Sequence, residues 1–185
     1  MAVCIVGHGP SVREVPLGEL VDTNFVIRLK NCSRLLKEPE YYGKKTDVAC
    51  ASTETLRSLQ SVKAKEYWGY PKRGTYNALI AQHLKDATNK EVWIPQTLLN
   101  KWNDRFRELG ASHNNVSLGF AAILMASERL GETIYLHGFD TLLDPWKPYY
   151  TCLKERKGHP GHDWFTENRL LEEVRDEYKL EIKRL

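Results

Sequence analysis

Short apolar runs that stop at turn residues, each followed by a helical pattern, constrain this chain most. Val3-Cys4-Ile5-Val6 ends at Gly7, and Phe25-Val26-Ile27-Arg28-Leu29 and Asp47-Val48-Ala49-Cys50-Ala51 follow. Glu66 to Tyr70, Glu91-Val92-Trp93-Ile94 (stopped by Pro95) and Thr133 to His137 (ending at Gly138) repeat the pattern. Strands buried on both faces read this way, because helices cover a parallel sheet above and below. The alternation predicts an α/β fold: one Rossmann-like, doubly wound, mostly parallel sheet with helices on both faces. A short closing strand is expected at Leu180 to Ile182.

Helices are expected from Thr53 to about Leu59 and from Tyr76 to Leu84. Pro95 suits a third helix start, with Leu98, Leu99, Trp102, Phe106 and Leu109 at helical spacing up to Gly110. Ser117 to Leu130 is apolar almost all round, the mark of a buried helix, and Gly131 ends it. The last helix runs from about Asp163 to Tyr178, and Asp140 to Pro160 reads as a long loop rich in proline and aromatics.

A length of 185 residues suits a single domain over 1–185. The net charge of +3 favours an anionic ligand mildly and lacks the clustered Lys/Arg of a nucleic-acid binder. No apolar run is long enough for a membrane span, and Met1 to Val6 is too short for a signal peptide, so a cytoplasmic protein is expected. Cys4, Cys32, Cys50 and Cys152 form no metal or redox spacing and read as buried thiols. The five tryptophans and nine tyrosines suit either a core or a sugar-binding surface.

Three segments carry candidate chemistry. Gly7-His8-Gly9-Pro10-Ser11 follows the first strand and reads as a phosphate-approaching turn or a plain tight turn; it lacks the third glycine of a dinucleotide fingerprint. Ser117 and Gly119 open a helix whose N-terminus favours a phosphate, and Ser117 is equally an N-cap. His162, between Gly161 and a helix start, is placed to take a proton or to pack at the junction, with Asp163 or Glu167 to orient its ring. His159, His162 and Asp163 offer no obvious third metal ligand, and no Asp-x-Asp pair occurs.

These segments resemble the sialyltransferases. Val3 to Val12, Phe25-Val26-Ile27-Arg28-Leu29-Lys30-Asn31 and Tyr42 to Asp47 look like the family's long donor-binding motif. Val116-Ser117-Leu118-Gly119-Phe120 through Glu132 to Asp140 resembles the short motif, and Gly161-His162-Asp163-Trp164-Phe165-Thr166-Glu167 the terminal histidine–glutamate motif. The resemblance implies a sialyltransferase-type variant of the GT-A fold and a metal-independent glycosyltransferase with no cofactor. The implied reaction is an inverting transfer of a sugar, sialic acid among the candidates, from a CMP-type nucleotide sugar to a glycan or other hydroxyl acceptor. It assigns Gly7, His8, Gly9, Ser11, Asn31, Ser117, Gly119 and Asp140 to the donor side. His162 becomes the base with Glu167 as its support, and Tyr149 and Tyr150 become leaving-group donors.

Four positions depart from the family pattern. His8 replaces an asparagine, Lys30 displaces another to Asn31, Leu118 replaces a small hydroxyl residue, and Gly131 stands where a cysteine would bridge to Cys4. Two alternatives remain open: an ATP-dependent diphosphotransferase of the pterin pyrophosphokinase type using Asp140 and Asp144, and a catalytically inactive nucleotide-binding domain.

Overall fold

The computed structural model describes residues 2–30, 35–52, 62–71, 91–131, 133–146, 149–151, 154–156 and 162–185. The helices expected at 53–59 and 76–84, together with Asn31, lie outside the described residues.

A seven-stranded sheet, every neighbouring pair parallel, forms the frame: β1 (Val3–Val6), β2 (Phe25–Leu29), β3 (Val48–Ser52), β4 (Glu66–Tyr70), β5 (Glu91–Trp93), β6 (Ile134–His137) and β9 (Ile182–Arg184). Its order is β5-β4-β3-β2-β1-β6-β9. The chain winds outward from β1 to β5, then returns to place β6 on the other side of β1. Neighbouring connections therefore diverge between β1 and β6, the topological switch point of a doubly wound sheet.

Alternation along the strands divides the core. Val3 and Ile5 of β1, Ile27 and Leu29 of β2, and Val48 and Cys50 of β3 face one side. On that side lie α3 (Gln96–Glu108), α4 (Leu118–Leu130) and α6 (Trp164–Tyr178). Cys4, Val6 and Val26 face the other side, against Val12 of a 3₁₀ turn (Pro10–Arg13), Val21 of α1 (Gly18–Asp22) and Tyr42 of α2 (Pro39–Tyr42). Opposite-facing neighbours are both buried, which explains the unbroken apolar runs. Arg28 is wholly buried on the second side, where it donates to the carbonyls of Lys45 (3.0 Å) and Tyr42 (2.8 Å) and to Thr46 Oγ1 (3.1 Å).

Helix α4 runs beneath β1, β2, β3 and β6, and α3 and α6 cover its outer side. It is buried from Phe120 to Ser127, so its polar face is almost absent. Gly131 ends it in the left-handed conformation (φ 59°), where a β-carbon is unfavourable. The cationic residues of α3 face water and pair there: Arg105 with Glu173 and Glu108, Lys101 with Glu177, Arg107 with Asp104.

Two expectations need correction. The stretch from Asp140 is not one irregular loop: α5 (Asp140–Leu143) starts it, and β7 (Tyr149–Thr151) pairs antiparallel with β8 (Lys154–Arg156). The closing strand begins at Ile182, two residues later than expected, because Ile182 is the residue that reaches the core beside Ile134.

Candidate active site at the sheet switch point

The turns leaving β1 and β6 interlock. Gly7 N–H donates to the His137 carbonyl (2.7 Å) and Gly9 N–H to the Gly138 carbonyl (2.8 Å). Gly138 adopts φ 74°, and a β-carbon on Gly9 would stand 2.0 Å from Asp140 Oδ2. The glycines thus serve close packing of two turns, and the N–H groups of Gly7 and Gly9 are already spent. Any hydrogen bonds to a ligand on the cleft wall must therefore come from groups other than these two N–H.

Beside this junction lies a cleft of about 630 Å³, mouth included. Gly7, His8, Gly9, Ser117, Gly119, Asp140 and His162 all line it, with Lys30, Leu118 and Trp164. Three segments far apart in sequence therefore meet at the carboxyl end of the sheet.

The α4 segment offers hydrogen-bond donors. Ser117 Oγ accepts from Phe120 N–H (3.1 Å) and caps the helix. A helix leaves its first N–H groups without internal partners, and the cap serves only that of Phe120. Leu118 and Gly119, both on the cleft wall, present the others. About half a positive elementary charge accompanies that helix end.

His8 is 9% exposed, and neither ring nitrogen has a hydrogen-bond partner among the described residues. Burial lowers its pKa to about 4; the Lys30 backbone works against this without reaching hydrogen-bonding geometry. His8 is therefore a neutral donor–acceptor at pH 7, not a countercharge for phosphate. Lys30 is the lysine on the wall.

Ser11 stands behind the wall. Its N–H donates to Asp140 Oδ2 (3.1 Å), while Arg184 holds Asp140 Oδ1 (3.4 Å). Asp140 lines the cleft but its carboxylate is committed to the scaffold. The side chains of Tyr149 and Tyr150 lie outside the described residues.

His162 stacks on Trp164, with ring centroids 4.5 Å apart and planes 14° from parallel. Neither expected carboxylate orients it. Asp163 caps α6 through Thr166 N–H (3.0 Å) and holds Ser112 N–H (3.0 Å) and Oγ (3.2 Å). Glu167 is buried against Ser117, accepting from its N–H and its Oγ (2.9 Å). Burial pushes the Glu167 carboxyl up to about 8, opposed by those two Ser117 bonds. This clamp spans fifty positions, and its only local signal in the sequence is a Glu in the first turn of a helix.

Among the described residues no three His, Cys, Asp or Glu side chains gather as a metal-ligand group, and no helix is long and apolar enough to cross a membrane.

Sheet order, switch point and cleft define a Rossmann-like α/β protein with a ligand cleft at the carboxyl end of its strands. Within that class the fold is that of the sialyltransferases. The sialyltransferase CstII from Campylobacter jejuni, in a structure with a substrate analogue, cytidine-5′-monophosphate, matches with a TM-score of 0.64 at 20% identity, covering 100% of this chain and 79% of that one. A mammalian sialyltransferase bound to Gal-beta-1-3GalNAc-ortho-nitrophenol gives 0.68 at 15% identity over 98% of this chain and 68% of that one. An apo alpha-2,3-sialyltransferase from Campylobacter jejuni gives 0.64 at 18%, over 100% and 74%. No family model matches the chain, and no curated protein matches it either.

Proposed function

We propose that this chain is a metal-independent glycosyltransferase that moves a sugar, with inversion, from a CMP-type donor to a glycan hydroxyl. One observation carries the reading: an uncommitted helix N-terminus, a buried neutral imidazole and a second histidine line a single cleft. Its likeness in fold to a sialyltransferase solved with cytidine-5′-monophosphate supports the choice of nucleotide.

The chemistry follows from these groups. The donor phosphate lies at Leu118 and Gly119 N–H, with Lys30 supplying positive charge. His162 accepts the proton of the acceptor hydroxyl as its oxygen bonds to the anomeric carbon. The anomeric carbon–phosphate oxygen bond breaks, and its electron pair leaves on CMP. The helix end and Lys30 stabilise that charge, and Tyr149 or Tyr150 donates to it, so no metal is required. Ser117 and Glu167 hold the helix end in place and take no part in proton transfer.

The diphosphotransferase alternative needs open carboxylates for magnesium. Asp140 is held by Arg184 and Ser11, and Asp144 accepts from Trp146 N–H (3.3 Å), which disfavours it.

Calorimetric titration with CMP, UDP and GDP tests the donor reading; CMP is expected to bind, and binding of none would sink it. His162→Ala is expected to lower transfer by about 10²–10⁴-fold with CMP affinity kept. Undiminished transfer in that variant would remove His162 as base.

A further inference from the structure

Large apolar side chains exposed among the described residues include Trp146 and Phe165, and these two meet. Their ring centroids are 4.8 Å apart and their planes cross at 80°, an edge-to-face pair. Yet Trp146 keeps 85% of its surface in water and Phe165 49%. Hydrophobic stabilisation scales with the area withdrawn from water, so this pair contributes little to folding for its size. A ligand that covers the rings would realise what folding leaves unused.

Their attachment points say which ligand. Phe165 follows Trp164 in the first turn of α6, and Trp164 lines the cleft and stacks on His162. Trp146 comes three residues after α5, whose residues Asp140, Thr141 and Leu142 form part of the cleft wall. Neither ring lines the cleft itself, but each is attached next to residues that do, and Phe165 stands one position from the tryptophan that stacks on the proposed base. Two rings make a patch far smaller than the roughly 800 Å² per partner of a stable protein interface. They match one pyranose, whose C–H face packs on an aromatic ring while its hydroxyls stay hydrated.

We infer that Trp146 and Phe165 form the platform for the acceptor sugar, which lays its C–H face on the rings and turns its reacting hydroxyl toward His162. This rests on the glycosyltransferase reading above and adds to it a seat for the second substrate.

The test has two arms, both on the full chain. Saturation-transfer NMR with CMP present uses lactose, maltose and methyl α-mannopyranoside as probes. Steady-state transfer from the CMP-sugar donor uses whichever of them accepts. At least one probe is expected to show contact signals that Trp146→Ala abolishes and Trp146→Phe partly restores. In transfer, Trp146→Ala is expected to raise the acceptor KM about three- to tenfold without a matching rise in donor KM. An exposed side chain can be truncated with little cost to folding, and a thermal melt verifies this. Probe binding indifferent to Trp146, or no signal from any probe, overturns the platform. So does a dimer in sedimentation that Trp146→Ala dissociates, which makes the pair an interface between copies. Trp146-dependent sugar binding without any transfer keeps the platform and sinks the enzyme reading; transfer with an acceptor KM indifferent to Trp146 does the reverse.

Discussion

Glu167 shows how one side chain can look catalytic in sequence and be structural in space. Its spacing from His162 matches a catalytic pair, but its carboxylate grips Ser117 at the start of α4. Burial pushes the carboxyl up to about 8, against the pull of the two Ser117 bonds, from an unfolded value near 4.3. The sign of the pH effect follows. Below about pH 4.3 both states hold the proton and the contribution is complete; as pH rises toward 8 the unfolded chain ionises first and the contribution drains away. Glu167→Gln keeps the shape, accepts from Ser117 N–H, donates to Ser117 Oγ and cannot ionise. We expect it to match the parent protein near pH 4 and exceed it at pH 8 by roughly 3–5 kcal/mol, read from urea unfolding at both pH values. The difference between the two proteins isolates Glu167 from His8 and His137, whose pKa values burial lowers and which therefore destabilise the fold on the acid side. No gain at pH 8 would mean that the carboxyl is not held in a dry pocket.

Among the elements, those most legible in sequence are those with the simplest burial. The runs of β1, β2 and β4 were readable to the residue because both faces are covered, and α4 because nearly every side of it is buried. The β7–β8 pair was not readable: three residues a strand, Tyr-Tyr-Thr and Lys-Glu-Arg, offer neither an apolar run nor an alternation. The three site segments were visible, but the division of labour among their backbone groups was not, because hydrogen bonding between the β1 and β6 turns depends on strands 130 residues apart being neighbours. That contact also yields a test. Replacing Gly9 by alanine puts a methyl group 2.0 Å from Asp140 Oδ2 and 2.9 Å from the Gly138 carbonyl. Both neighbours are held, one by Ser11 and Arg184 and the other by the Gly9 N–H, so neither yields cheaply. We expect Gly9→Ala to lose about 1–3 kcal/mol of stability in a denaturant melt, and a neutral result would show that the two turns are not locked together.

At the scale of the whole molecule the sheet brings three distant stretches to one place. Residues 7–9 arrive because β1 is central, residues 117–119 because α4 crosses under β1, β2 and β6, and residue 162 because α6 packs on α4. Glu167 ties the last two together by reaching from α6 to the first residue before α4. A ligand that fills the cleft must then touch segments that share no local contact in sequence. Hydrogen exchange reads this directly, since an amide slows when its local opening is suppressed. In the free protein we expect the slowest exchange in β1, β2 and β3 at the centre of the sheet and faster exchange in the edge strands β5 and β9. Saturating CMP should slow Leu118 and Gly119, the residues flanking His8, and the start of α6 at Trp164 in parallel, with the same concentration dependence at each. Ligand at a hundredfold excess over its Kd stabilises the folded state by about 2.7 kcal/mol, enough to register as slower exchange throughout the central strands as well. Protection confined to α4 would reduce the site to an isolated helix end, and protection at the glycine turn alone would detach the nucleotide from the proposed base.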